Sequence, residues 1–99
     1  KETKIELWYE VQDGASLDMP DNIVAAPWGD LIVCEDNSKV NRLWGITPKG
    51  NPYLIAENNY SGAEFAGVCF SPFDNTLFVN IQQRGVTLAI DGNWQKAIG

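Results

Sequence analysis

Residues 21–36 read DNIVAAPWGDLIVCED, and residues 66–82 read AGVCFSPFDNTLFVNIQ. Laid over one another, the two stretches share a plan: a short apolar run, a turn marked by proline, and a second apolar run. Pro27 falls on Pro72 at an offset of 45, and Leu31, Ile32 and Val33 fall on Leu77, Phe78 and Val79 at an offset of 46. Downstream, RLWGITPKGN (42–51) is echoed by GVTLAIDGNW (85–94). A period of about 45 residues with about four strands per unit is the size of one β-propeller blade. A sandwich of about 100 residues would also hold eight strands, but it would not demand a repeat. Two blades cannot close a ring, because propellers usually need about four to eight. The repeat thus implies a piece of something larger, or a chain that assembles with copies of itself.

Working outward, period-2 patterns dominate and long helical periods are missing. KIELWYEV (4–11) alternates and predicts a strand contributed to a neighbouring blade. NIVAAP (22–27), LIVCE (31–35), RLWGIT (42–47) and PYLIAE (52–57) predict one four-stranded unit. FAGVCFS (65–71), TLFVNIQ (76–82) and GVTLAID (85–91) continue the series. Turn residues stand between nearly all of them, PKGN (48–51) with Pro and Gly where a turn wants them. The expectation is an all-β chain, a β-propeller fragment over 1–99, with approximate blades at 22–57 and 65–94.

Composition narrows the function. The chain has 99 residues, 44% hydrophobic, a formal charge of −6 and no His. The seven Lys and Arg are scattered, so nucleic acid and anionic membrane are poor partners. No run of 18 apolar residues exists to span a membrane. Residue 1 is Lys, and the alternating ETKIELWYE after it is no signal-peptide core, which points to a processed or excised piece. Without His, Ser-His-Asp and Cys-His catalysis are excluded within these residues. Cys34 and Cys69 lie inside apolar runs and read as two small buried hydrophobes. The four Trp read as packing between blades.

The stretches PDNIVAAPWGDLIVCED, RLWGITPKG, EFAGVCFSPFDNTLFVNIQ and GVTLAIDGNW together resemble the C-terminal end of the PhoX family of secreted bacterial alkaline phosphatases. The likeness covers roughly residues 18–94, and the segment from EFAG to NIQ is long and specific. Two turns depart from the family pattern: SPFDNT stands where SP-D-G is usual, and DGNW where the family ends in G-P-W. The resemblance implies a six-bladed propeller several times longer than this chain. It also implies a phosphomonoesterase site holding iron and calcium on carboxylates near the propeller axis, and a periplasmic or secreted location. Bound metals would polarise the phosphoryl group and activate the attacking oxygen.

Site candidates come from residue type and place. Asp21 and Asn22 precede the strand IVAAP, Glu35 and Asp36 end LIVCE, and Glu64 precedes FAGVCFS. The first strand of a propeller blade lines the channel, so acids at its entry converge, and hard oxygen ligands suit calcium and ferric iron. The repeat sets Asp21 near Ala66, with Glu64 two residues upstream, so both acids lie at the same end of equivalent strands. With the resemblance, Asp21, Glu64 and Glu35 are the candidate metal ligands. Asn22 and Asp36 are candidates to orient them, and Arg42 is a candidate phosphate contact. On residue type alone, PDN is also an ordinary turn, Glu35 and Glu64 are also solvated acids, and Arg42 is also a strand-edge charge. Cys34 and Glu35 point to opposite faces of one strand, which disfavours a shared ion.

The expected function is therefore the C-terminal propeller segment of a metal-dependent phosphomonoesterase, inactive by itself and completed by the remaining blades. A non-catalytic, propeller-derived binding or self-assembly module is the alternative, and a lactonase-like or calcium-binding propeller is a third. Exposed blade sides would make the isolated piece a homo-oligomer.

Overall fold

Ala26-Pro27-Trp28-Gly29 and Thr47-Pro48-Lys49-Gly50 build the same turn twice. In each, the glycine N–H donates to the carbonyl three residues back, at 3.0 Å for Gly29 and 2.8 Å for Gly50. Proline presets the second turn residue, and the glycines take φ of 103° and 86°, which side chains resist. These turns close the hairpins β1 (Pro20–Ala25) with β2 (Leu31–Glu35), and β3 (Arg42–Ile46) with β4 (Pro52–Glu57). The four strands form one antiparallel sheet in the order β1-β2-β3-β4. A second sheet holds β5 (Phe65–Phe70), β6 (Leu77–Ile81) and β7 (Val86–Ile90) in sequence order. The computed structural model describes residues 3–10, 17, 20–36, 40–58, 65–82, 85–92 and 94.

The way the two sheets meet is set by the alternation. On β2, Ile32 and Cys34 face the second sheet, while Leu31 and Val33 face away from it. On β6 the matching residues are reversed: Leu77 and Val79 face the first sheet, and Phe78 is 37% exposed on the far side. The front of one repeat therefore packs on the back of the other. A sandwich of two repeats would bring equivalent faces together. Head-to-tail stacking is what successive propeller blades do, and the all-β architecture is consistent with a propeller fragment, not closed.

The interior between the sheets is built from Ile32, Cys34 and Leu43 against Phe65, Val68, Leu77, Val79 and Ile81. Trp28, Phe70 and Trp94 seal one end, with ring centroids 5.2–6.1 Å apart, and the Trp94 indole donates to the Asn75 carbonyl at 2.7 Å. A second cluster covers the other face of the first sheet: Val33, Trp44, Ile46 and Leu17, with Trp8 and Tyr9 against them. Strand β2 is thus apolar on both faces, which is why LIVCE shows no alternation. Trp28 and Trp94 pack between the sheets as expected, while Trp8 and Trp44 pack on the outer face.

Two expectations are corrected. The strand predicted over 4–11 is not formed: residues 4–10 are described and pair with no strand, and residue 11 lies outside the described residues. The physical reason is that consecutive side chains Trp8 and Tyr9 both turn onto the first sheet. The Trp8 indole donates to the Thr47 carbonyl. That breaks the alternation a strand needs, and Ile5 and Leu7 are left in solvent. Seven strands, not eight, therefore stand among the described residues. Second, Cys69 is exposed, although Cys34 is buried. Val68 points into the core, so its neighbour Cys69 points out.

Candidate functional site

Strands β1 and β3 begin, and β2 and β4 end, at one end of the first sheet. Backbone pairing sets Pro20 beside Glu35 and Arg42 beside Glu57. Trp28, in the β1–β2 turn, meets Phe70 at the end of β5, so β1 and β5 run the same way. The entries of both first strands, with Asp21, Asn22, Glu35, Asp36 and Arg42, thus gather at a single end of the molecule. The antiparallel pairing within the first sheet accounts for this co-location.

Within that end the candidates do different things. Glu35 is fully buried. Its Oε1 accepts the Arg42 backbone N–H at 3.1 Å and stands 3.3 Å from Arg42 Nε. The Nε contact lacks hydrogen-bond alignment, so it acts as a charge contact. The guanidinium carbon also lies 5.7 Å from the centre of the Trp44 ring, a cation–π distance. Glu35 and Arg42 thus neutralise each other on the outer face, while Cys34 points to the opposite one. Asn22 Oδ1 accepts the Val68 backbone N–H at 3.3 Å and so joins the first strands of the two repeats. Asp21 is exposed, at the mouth of a cavity of about 240 Å³ walled by Trp8, Tyr9, Ile23 and Val33. Asp36 is exposed as well. Glu64 lies outside the described residues.

Among the described residues, no three carboxylate, thiol or imidazole side chains stand close enough to hold one ion. The described part does not by itself fit calcium or iron. Of the candidate ligands, Asp21 is the described one that stands open.

The opposite end holds a carboxylate that sequence reading passed over as part of a turn. Asp30 is buried, and its Oδ2 accepts from the Tyr53 hydroxyl at 2.6 Å and the Trp28 indole at 2.9 Å. Burial, and then the bond to Asp30, push the Tyr53 phenol up to about 12. The Tyr53 ring lies over Gly45, where a Cβ would come within 2.1 Å of Cζ. The one sequence signal was the glycine opposite an aromatic residue on paired strands.

The model of the alkaline phosphatase PhoX family matches residues 1–85. The chain belongs to the PhoX family. Comparison with curated proteins and with solved structures gives no match. The PhoX match spans β1 to β6 and every candidate site residue, and it stops short of β7. PhoX proteins are metal-dependent phosphatases acting on phosphate esters, and they are secreted or periplasmic enzymes. Among the described residues, no helix is long and apolar enough to cross a membrane.

Proposed function

We propose that this chain is the C-terminal propeller segment of a PhoX phosphomonoesterase, with blades at about 22–57 and 65–94. In this reading Asp21 and Glu64 present two carboxylates from adjacent blades to a calcium- and iron-containing centre near the axis. The observation that carries it is the family match over residues 1–85, joined to repeats that stack head to tail with their first strands side by side. Two carboxylates brought together without a cation repel, and one is pushed toward protonation; a bound cation removes that conflict. Glu35 holds Arg42 at the same end, where the outer part of the guanidinium can meet a phosphate oxygen. The remaining blades supply the other ligands, so the segment alone releases no phosphate. Its uncovered sheet faces, with Phe78 on one of them, favour association into an oligomer.

The test is Glu64→Gln, and separately Asp21→Asn, in the intact phosphatase. Each keeps shape and removes charge. Both variants are expected to fold, to carry less metal by elemental analysis, and to lose turnover of a simple phosphate monoester. Normal metal content with normal turnover returns both residues to the surface-acid reading. Phosphate release by the 99-residue chain itself contradicts its inactivity.

A further inference from the structure

Two features of the chain are each incomplete in a complementary way. Strand β7 pairs with β6 on one side, and among the described residues no strand pairs with its other edge. Beside it opens an apolar cleft of about 530 Å³ lined by Phe65, Ile81, Val86, Leu88, Ile90 and Ala56. The first sheet has four strands and the second three. The cleft lies along β7, whose other edge pairs with no strand among the described residues. At the other end of the chain, residues 4–7 (KIEL) carry strand alternation but pair with no strand among the described residues. Ile5 is 102% exposed and Leu7 78%. Open edges and loose apolar strands are what β-augmentation joins.

We propose that residues 4–7 of one copy of this chain add as a fourth strand to β7 of a second copy. The register is antiparallel and is set by side-chain chemistry. Lys4 opposite Asp91 places Ile5 beside Ile90 and Leu7 beside Leu88. All the apolar side chains then point into the cleft, and the opposite charges pair on the outer face. The contact between Lys4 and Glu6, at 3.2 Å and largely in solvent, is exchanged for the cross-strand pair. The pairing is made between copies and not within one chain. Trp8 is held on the outer face of the first sheet, whereas β7 lies in the second sheet, beyond the first. Packed sheets stand about 10 Å apart, and Leu7 is one residue, about 3.8 Å, from Trp8. A two-fold dimer with both arms exchanged is the smallest assembly that satisfies both edges. The arm, the edge and the cleft carry this pairing without the phosphatase reading.

Sedimentation of the 99-residue chain tests it. The wild type is expected to form a concentration-dependent dimer. Ile5→Asp with Leu7→Asp changes only exposed side chains, so thermal unfolding of the monomer stays as it was while the dissociation constant rises about tenfold or more per residue. Lys4→Glu weakens the dimer, and adding Asp91→Lys restores it. A wild type that stays monomeric at about 100 μM, a concentration at which even weak pairs associate, overturns the proposal. So does a charge swap that restores nothing. An Ile5→Asp/Leu7→Asp variant that dimerises like the wild type also overturns it, and would leave association through the sheet faces standing.

Discussion

Asp30, Tyr53 and Gly45 form a small unit whose parts depend on one another. The Tyr53 hydroxyl reaches Asp30 only because Gly45 leaves room for the ring. Gly45→Ala therefore displaces an aromatic ring, and a loss of about 1–3 kcal/mol of unfolding free energy is expected in denaturant titration. Tyr53→Phe removes one of two donors from a buried carboxylate and is expected to cost about 1.5–3 kcal/mol. The raised phenol of Tyr53 has a definite sign. The unfolded chain gives up this proton near pH 10, and the folded one holds it to about 12. The stability from this group is therefore complete below pH 10 and is lost as pH rises from there through about 12. Stability measured against pH should fall across that window in the wild type and less so in Tyr53→Phe. Arg42→Met strands much of the Glu35 charge, and a loss of about 3 kcal/mol is expected, because the residue 42 backbone N–H still donates. None of these partners was visible in residue type: Asp30 read as part of a turn, and Glu35 as a solvated strand-end acid that the resemblance made a candidate ligand. Burial and partner, which only the fold supplies, show what each carboxylate touches.

Elements were far more legible. Where both flanks of a run carry turn chemistry, as with LIVCE between WGD and DNSKVN, the strand bounds read from sequence are those observed at Leu31–Glu35. Where one flank is ambiguous the bounds drift: NIVAAP reads as a strand from 22, but pairing begins at Pro20, because a bulge lies between Pro20 and Asn22. KIELWYEV shows the limit of periodicity. Alternation reports that a segment can form a strand, while a partner edge decides whether it does. The turn glycines make a matching prediction. Nothing lies within 4 Å of a Cβ at Gly29, so Gly29→Ala suffers only the strain of a φ of 103°. A cost of about 1–2 kcal/mol with no change in sheet content by circular dichroism is expected.

At the scale of the whole molecule, the repeat carried the information that single elements lacked. Because Leu31 matches Leu77 and Val33 matches Val79, the sheets can be seen to stack front to back, and that order is open-ended. One face of the first sheet holds Trp8, Tyr9 and Leu17 against it, and the far face of the second shows Phe78 and Cys69 to solvent. In the proposed reading, further blades of the PhoX protein sit against these faces. The candidate metal site was only partly legible for the same reason. Its described acids, Asp21, Glu35 and Asp36, come to one end of the first sheet, while Glu64 lies outside the described residues and ligands from other blades lie outside this sequence in the proposed reading. A crystal structure of the intact phosphatase with its metals measures this most directly. The two sheets are expected there as adjacent blades, with carboxylate oxygens of Asp21 and Glu64 within about 2.0–2.6 Å of bound metal. A metal centre at the other end of the blades, with both carboxylates in solvent, would contradict it.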